Sequence, residues 1–308
     1  MYYFIVNPNS GSGNGLKVWN HAKRYLNSKN ICYDVYFTAK QGDAMAKSAE
    51  VSKEASGDEP LYIMAVGGDG TIDEVVNGLD LSKNVIFGCI PSGSGNDLCR
   101  SLRYPQGTDE ILKKIFEEGY VREMDFGVLT NSEGTLNRRF IVSCGGGFDA
   151  RVTEKLESSK FKIWCNKIGI GKVAYTLVGA GCFFTNRPVK STLSIDNGSQ
   201  TEYRSVFFTS IQNHPYEGGG YKFAPNALWN DGFLDITVVN SKSRLRLMPI
   251  LLNKKGGLKA NGAVSFFACH ECTWHFEKPV VMHVDGESMG KQTDVTVRCV
   301  KGKLRFLL

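Results

Sequence analysis

Runs of apolar, β-branched residues alternate with segments of helical period in the first part of the chain, and glycines mark the junctions. In the segment 16–26, Val18, Ala22 and Leu26 recur every four residues and fall on one helical face. Strands that alternate with helices are typical of the α/β class, in which helices cover a parallel sheet. The predicted strands are 2–6, 32–39, 61–66 and 84–90, and the predicted helices are 16–26, 43–55 and 71–79.

Short alternating strands dominate the second part of the chain, and two helical segments interrupt them. Asp196-Asn197-Gly198 separates two of these strands with residue types that tolerate positive φ, as a tight hairpin requires. The pattern predicts an antiparallel β-sandwich or barrel with helical insertions. The predicted strands are 188–195, 201–211, 233–240, 264–276, 280–284 and 295–300, and the predicted helices are 171–184 and 244–252.

The length of the chain, 308 residues, is sufficient for two hydrophobic cores. We therefore predict an α/β fold with an N-terminal Rossmann-like domain over 1–128 and a C-terminal antiparallel β-sandwich domain over 129–295. The final segment, about 296–308, is expected to pack back onto the N-terminal domain.

Charge and composition narrow the classes of function. Lys and Arg number 37 against 31 Asp and Glu, and the net charge of +6 is spread without a dense basic stripe, so we expect no nucleic-acid partner. A mild positive field suits phosphate ligands or an anionic membrane surface. The uncharged run at 173–184 is shorter than the roughly 20 residues that span a bilayer. A strand-like start without signal-peptide regions favours a cytoplasmic location with reduced cysteines.

The most informative segment is a glycine-rich loop that follows the predicted strand 61–66. Its glycines, Gly67, Gly68 and Gly70, let backbone amides approach a phosphate, and the next helix adds partial positive charge at its N-terminus. Thr71 and Glu74 also fit a helix capping box, which explains the threonine without a ligand. Asp69 has no such explanation, because an acid beside a phosphate needs a metal ion between them. The loop therefore predicts a metal-bridged phosphate.

Two further loops occupy the same position at strand exits, Asn7-Pro8-Asn9-Ser10-Gly11 and Pro91-Ser92-Gly93-Ser94-Gly95-Asn96-Asp97. Ligands of open α/β sheets bind beyond the carboxyl ends of the strands, so these loops are placed to converge on one nucleotide. Neither the Walker pattern with its lysine nor the spaced dinucleotide glycines occurs in the sequence.

In their order and spacing, the three loops resemble the diacylglycerol kinase catalytic family, which includes sphingosine kinases and bacterial lipid kinases. The resemblance covers nearly the whole chain and continues through 143–150, 218–225 and 230–235. The segment 67–71 alone is shared with NAD kinases and phosphofructokinases, whereas the loop at 94–97 favours the lipid branch. Asp73 departs from the asparagine that is common in that branch and adds a negative charge near the nucleotide.

The resemblance implies a kinase that uses ATP and Mg²⁺ and phosphorylates a lipid hydroxyl. It implies Glu287 as the general base, Asp125 as its support, and Asp69 and Asp97 as members of the magnesium and water network. The ATP-binding residues that it implies are Asn7, Pro8, Asn9, Ser10, Gly11, Thr38, Gly67, Gly68, Asp69, Gly70, Thr71, Ser94 and Asn96. The ligands that it implies for a structural Mg²⁺ are the Asp231 side chain and the carbonyls of Leu228 and Phe233.

These carboxylates are far apart in the sequence, so the resemblance also implies an active site in an interdomain cleft. Diacylglycerol is favoured as the acceptor over a sphingoid base, phosphatidylglycerol or a prenyl-type alcohol. NAD kinase and a non-enzymatic nucleotide sensor or lipid carrier remain as alternatives. Retention of the four proposed catalytic carboxylates counts against the second of these.

Several segments have simpler interpretations when the resemblance is set aside. Asp231-Gly232 is a plausible β-turn, and 283–287 is a strand that enters an Asp-Gly hairpin turn. Cys269 and Cys272 suggest a zinc site only weakly, because strand alternation would place them on opposite faces. The apolar face of 173–184, with Trp164 upstream, fits a core helix as well as a lipid-tail pocket.

A lipid substrate also predicts transient docking on a membrane surface. Lys160, Lys162 and Lys167 are the basic residues expected to help. Many bacterial members of the resembled family are dimers, so a homodimer is one expectation for this chain.

Overall fold

The computed structural model describes residues 1–55, 58–157, 171–253 and 256–308, with the backbone alone at 157, 171–176 and 251. It divides the chain into two units, Met1–Phe126 with Lys301–Leu308, and Gly127–Val300. The domain boundaries predicted near residues 128 and 295 stay a prediction. Trp164 and the lysines 160, 162 and 167 lie outside the described residues.

The first unit is an α/β structure with a parallel sheet. Its elements are β1 Tyr2–Val6, α1 Ser10–Ser28, β2 Tyr33–Phe37, α2 Asp43–Glu54, β3 Leu61–Gly67, α3 Asp69–Gly78, β4 Val85–Pro91, α4 Asp97–Ser101 and α5 Thr108–Phe116. The strand order is β4-β3-β1-β2, and every neighbouring pair is parallel. Such a sheet is buried on both faces, which explains why β3 and β4 are almost continuously apolar.

The predicted strands and helices of this unit are confirmed to within two residues, except that α1 begins six residues before the predicted start at residue 16. The helices α4 and α5 were not predicted. α4 has five residues, too few to show a helical period. In α5, Ile111, Leu112 and Ile115 are buried at helical spacing, so its pattern was present in the sequence.

The second unit is mainly antiparallel. Its elements are β6 Asn137–Phe140, β7 Ser143–Gly147, α6 Phe148–Glu157, α7 Gly171–Thr185, β8 Val189–Ile195, β9 Thr201–Gln212, β10 Tyr216–Glu217, β11 Tyr221–Lys222, β12 Leu234–Asn240, α8 Arg244–Leu252, β13 Val264–Cys269 and β14 Glu271–Val284. β5 (Val121–Asn131) and β15 (Glu287–Leu307) have residues in both units. The sheet runs β13-β12-β9-β7-β14-β15, and its core includes Trp274, Phe276 and Ile211.

The hairpin at Asp196-Asn197-Gly198 is confirmed. Asp196 and Asn197 have φ of 47° and 57°, and the amide of Gly198 donates to the carbonyl of Ile195 at 2.7 Å. β8 and β9 pair antiparallel on either side of it. Among the described residues, no helix has the length and apolar character that crossing a membrane requires.

The predicted strand 264–276 is wrong, because the chain breaks at His270 into β13 and β14, and β14 continues to Val284 through a register shift. The break also makes the predicted placement of Cys269 and Cys272 on opposite faces wrong. Their thiols are hydrogen-bonded to each other in one buried core, and this bond and burial raise the pKa of Cys272.

Candidate functional site

Three loops meet at the carboxyl end of the sheet in the first unit. The side-chain amide of Asn7, just after β1, donates to Thr71 Oγ1 near the start of α3 at 3.1 Å. Ser10 Oγ and Ser92 Oγ, beyond the ends of β1 and β4, are hydrogen-bonded at 2.5 Å. Asn14 Nδ2 also donates to the carbonyl of Ser92 at 3.3 Å. The loops after β1, β3 and β4 are therefore joined by direct side-chain contacts.

Two of these loops touch through their backbones, which explains their glycines. A Cβ atom at Gly93 would lie 2.6 Å from the Cα atom of Gly68, closer than real contacts allow. A Cβ atom at Gly95 would lie 2.6 Å from Asp69 Oδ2. The absence of side chains at these positions lets the loop after β4 lie directly against the loop after β3.

Asp69 fastens the same two loops. Its Oδ2 accepts from the backbone amide of Asn96 at 2.9 Å, and its Oδ1 accepts from that of Asp97 at 3.2 Å. Asn96 has φ of 52° and Asp97 begins α4, so the carboxylate sits at the N-terminus of a short helix, where the backbone partial charge is positive. Asp97 is itself buried and forms an ion pair with Arg100.

The first turn after β1 is left-handed. Gly11, Ser12 and Gly13 have φ of 56°, 59° and 90°. Positive φ is unfavourable for serine, so Ser12 marks local backbone strain of the kind that is concentrated at functional sites. Regular right-handed helix begins beyond this turn, close to the start predicted at residue 16.

The predicted capping box at Thr71 and Glu74 is wrong. α3 begins at Asp69, so Thr71 lies inside the helix and its hydroxyl accepts from Asn7 instead. The carboxylate of Glu74 accepts from the amides of Gly42 and Ala44 at 2.8 and 3.1 Å, at the N-terminus of α2. The start of α3 therefore explains neither Thr71 nor Glu74, and both side chains serve tertiary contacts.

The other predicted nucleotide-binding residues lie around these loops. Thr38 is buried and its amide donates to the Val6 carbonyl at 2.9 Å, whereas Ser94 is exposed. Pro8 and Asn9 belong to the loop after β1, where the Asn9 amide donates to Asn7 Oδ1 at 3.1 Å. Gly67 ends β3, and Gly70 lies in the first turn of α3.

Asp73, which departs from the resembled family, is buried in α3. Asn77 Nδ2 donates to its Oδ1 at 2.9 Å, one helical turn onward. Its carboxylate therefore has a partner within its own helix.

Asp125 is buried in the part of β5 that belongs to the first unit. Its Oδ1 accepts from the amide of Gly302 at 2.7 Å, so this carboxylate holds the returning end of the chain.

Glu287 lies in the second unit, as the first residue of β15 and half-buried. The turn before it is the predicted Asp-Gly hairpin, since Asp285 and Gly286 have φ of 45° and 85° and Val284 pairs with Glu287. The hairpin interpretation is therefore confirmed, and it fixes where the Glu287 side chain leaves the backbone.

Asp285 ties this hairpin to the segment before β7, which sequence reasoning missed. Its carboxylate accepts from the backbone amides of Ile141, Val142 and Ser143 at 2.8, 2.9 and 2.8 Å. Burial raises the pKa of Asp285, against the opposing effect of these three hydrogen bonds and of the charge on His283. The acid is thus a structural anchor of the turn.

The predicted structural magnesium ligands also lie in the second unit. Asp231 is exposed and its Oδ1 accepts from the Phe233 amide at 3.0 Å, with Gly232 at φ of 88°, so the predicted turn is present as an Asx-turn. Leu228 is 56% exposed. A carboxylate and nearby carbonyls are the hard oxygen donors that Mg²⁺ prefers, so the donor set fits this ion.

A buried charge cluster in the second unit was not predicted. His283 Nε2 lies 3.3 Å from Asp149 Oδ2 and 3.1 Å from Glu217 Oε1. These three residues form the one group of His, Cys, Asp and Glu side chains, among the described residues, that is compact enough to hold a metal ion. Gly145 pairs with His283 across the sheet, and a Cβ atom there would lie 2.8 Å from the imidazole. Only the tertiary pairing reveals the cluster.

The electrostatics of this cluster favour a proton on the histidine. Burial lowers the pKa of His283, but the charge of Glu217 and the hydrogen bond and charge of Asp149, with Asp285 beyond, raise it to about 9. Glu217 is further held by Gln212 Nε2 at 2.6 Å. An imidazolium between two carboxylates therefore forms at neutral pH.

Both parts of the chain match known family models. Residues 1–129 match the model of the diacylglycerol kinase catalytic domain, and residues 142–308 match that of the YegS C-terminal NAD kinase beta sandwich-like domain.

Among curated proteins, the chain is 28% identical over 295 residues to the Bacillus subtilis protein named "Putative lipid kinase YtlR", covering 94% of both. It is 27% identical to the diacylglycerol kinase of the same organism, covering 93% of this chain and 89% of that one. A crystal structure of a diacylglycerol kinase from Bacillus anthracis has a TM-score of 0.72 and 22% identity, covering 99% of this chain and 95% of that one. This last likeness concerns the fold.

Proposed function

The chain belongs to the family of lipid kinases that joins a diacylglycerol kinase catalytic domain to a YegS-type C-terminal domain, and from this premise we propose that it phosphorylates diacylglycerol with ATP. The products are phosphatidic acid and ADP. The observation that carries the proposal is the joining of three strand-end loops through Asn7, Ser10 and Asp69.

The loops of the first unit are the proposed binding site for ATP. Backbone amides at closely packed glycines and the N-terminus of α3 favour negatively charged phosphates there. Asp69 and Asp97 place carboxylates beside these loops, and carboxylate oxygens are donors that Mg²⁺ prefers, which supports their proposed membership of the magnesium and water network. Mg²⁺, when bound, offsets negative charge on the phosphates. The proposed contacts are the ATP-binding residues named from the sequence.

We assign Glu287 as the general base. In this proposal it accepts the proton of the lipid hydroxyl as the oxygen bonds to the γ-phosphorus and the bond to the β,γ-bridging oxygen breaks. The anchored turn at Asp285 supports the assignment, because a general base needs a fixed position. Asp125 is proposed to support the base, and Asp231 with the carbonyls of Leu228 and Phe233 to hold a structural Mg²⁺.

We further propose that the enzyme is cytoplasmic, contacts the membrane transiently and forms a homodimer. Cys89 and Cys99 are buried thiols whose Sγ atoms lie 3.7 Å apart without a disulfide, and this supports a reducing compartment. The need to reach a lipid in a bilayer supports the membrane contact.

The test is a radiometric assay with labelled ATP and a panel of acceptors in mixed micelles. The panel contains diacylglycerol, a sphingoid base, phosphatidylglycerol, a prenyl-type alcohol and, in solution, NAD. We expect label chiefly in phosphatidic acid, and none when magnesium is chelated. Label chiefly in another lipid would overturn the diacylglycerol assignment, and label in NAD alone would overturn the lipid kinase proposal for this chain.

A further inference from the structure

The helix α8 carries an apolar stripe that faces solvent. Leu245, Met248 and Leu252 are 83%, 40% and 74% exposed, and their spacing of three and four residues places them on one side of the helix. Leu247, on the opposite side, is fully buried. The helix therefore has an apolar face beyond the one that it packs into its own unit.

The packed side holds the helix firmly in the second unit. Leu247 lies in a core cluster with Phe183 and Phe207, and the Arg244 guanidinium stacks over Phe207 at 4.7 Å from the ring centroid. Tyr221 Oη donates to the carbonyl of Ile250 at 2.7 Å. Because α8 is anchored on this side, its leucines stay presented to solvent on the other.

The sequence on either side of this stripe carries charge of one sign. The sequence from 236 to 270 contains no Asp or Glu. Its basic residues are Lys242, Arg244, Arg246, Lys254, Lys255 and Lys259. Lys242 and Arg246 are exposed beside the first turn of α8, next to Leu245. An amphipathic helix with leucines flanked by cations has the chemistry of a segment that lies in the interface of an anionic bilayer.

We propose that α8 docks this protein on an anionic lipid bilayer, with Leu245, Met248 and Leu252 among the headgroups and Lys242 and Arg246 on the lipid phosphates. A second copy of the chain is disfavoured as the occupant, because two such faces would bring their cations together. The choice of a bilayer over an acidic protein rests on the proposed lipid substrate.

The test is flotation of the full chain with vesicles, without ATP or diacylglycerol. The wild-type protein should float with vesicles that contain phosphatidylglycerol and remain unbound with phosphatidylcholine alone. Leu245→Ser/Leu252→Ser should lower the partition coefficient about tenfold or more, because two leucines leave the interface. Lys242→Gln/Arg246→Gln should lower it by roughly tenfold and weaken its dependence on salt.

The matched control is Lys23→Gln/Arg24→Gln on α1, which removes the same charge from exposed positions in the first unit. This control should bind as the wild type does, within about twofold, apart from a weak long-range effect. The proposal is overturned if the serine variant binds vesicles as well as the wild type does. It is also overturned if the α1 control loses as much binding as Lys242→Gln/Arg246→Gln.

Leu245→Trp is a second measurement that does not depend on lost binding. Brominated phosphatidylglycerol should quench its added fluorescence, and no added quenching contradicts insertion. Sedimentation velocity without vesicles tests whether a second copy of the chain occupies the stripe. A wild-type dimer that the serine variant disperses would assign the stripe to a second copy and overturn the proposal. A chain that floats with vesicles but phosphorylates no lipid contradicts only the proposed function. A chain that phosphorylates lipid, and whose flotation is unchanged by the α8 substitutions, contradicts only this inference.

Discussion

The Asp69 carboxylate binds the backbone amide of Asn96 across 27 positions of sequence, with an Oδ2 to N distance of 2.9 Å. One acid thus determines where the loop after β4 lies relative to the loop after β3. Its second oxygen is bonded to the next amide, that of Asp97, so both oxygens contribute to the position of the loop.

Asp69→Asn should therefore loosen this loop and weaken ATP binding. An asparagine side chain keeps one acceptor oxygen but turns an NH₂ group toward a backbone amide, which cannot accept it. We expect turnover to fall by about 100-fold or more, and faster hydrogen exchange at the amides of Asn96 and Asp97. Asp80→Asn, outside the three loops, is the control. Unchanged exchange at both amides would contradict the bracing role of Asp69.

Glu287→Gln should abolish most turnover and leave nucleotide binding intact. The amide keeps the size of the side chain but does not accept the proton of the lipid hydroxyl, and such losses are typically 10² to 10⁴-fold. Isothermal calorimetry with a non-hydrolysable ATP analogue measures the binding, and the lipid kinase assay measures kcat. A variant that retains near wild-type kcat would remove Glu287 from the mechanism.

Asp285→Ala should destabilise the second unit, because it leaves the amides of Ile141, Val142 and Ser143 without their shared acceptor. We expect a loss on the order of 3 kcal/mol in the free energy of unfolding, measured with urea. Asp294→Asn removes charge from an exposed contact with His275 and should cost less than about 1 kcal/mol. Equal effects of the two substitutions would contradict the anchor.

The His283 cluster should make stability fall in mildly alkaline solution. The pKa of His283 is raised from 6.5 to about 9 in the folded state, so its contribution is complete below pH 6.5 and is lost as the pH rises through about 9. The full contribution is roughly 3 kcal/mol. Urea unfolding between pH 6.5 and 9 should show this decline in the wild type.

His283→Gln should flatten that decline, whereas His275→Gln, at an exposed histidine, should preserve it. Glu217→Gln should move the decline to lower pH, because it removes a negative charge that raises the His283 pKa. An identical pH profile for the wild type and His283→Gln would contradict the charged state of the cluster.

Local pattern was sufficient to predict much of the fold. The helix Arg244–Leu252 has its predicted bounds, and the glycine loops were identified because they follow apolar strands. The break at His270 was missed because both of its sides are β-forming and no glycine or proline marks it. Thr71 and Glu74 show that a helix-start motif can instead serve two tertiary contacts.

Side-chain clusters that residues from distant segments form could not be read from the sequence pattern. Asp149, Glu217 and His283 are separated by dozens of residues, and their meeting depends on the pairing of β14 with β7 and on the missing side chain of Gly145. The three amides that bind Asp285 come from backbone, which carries no residue-type signal at all.

The chain's final strand also sets an order of events for a protein made from its N-terminus. Phe306 pairs with Phe87 of β4, and the amide of Gly302 satisfies Asp125, so the first unit needs residues that leave the ribosome after the whole second unit. Until then β4 has an open edge, to which an extended strand from another molecule can add. The pairing of Phe306 with Phe87 closes this edge once β15 has been made.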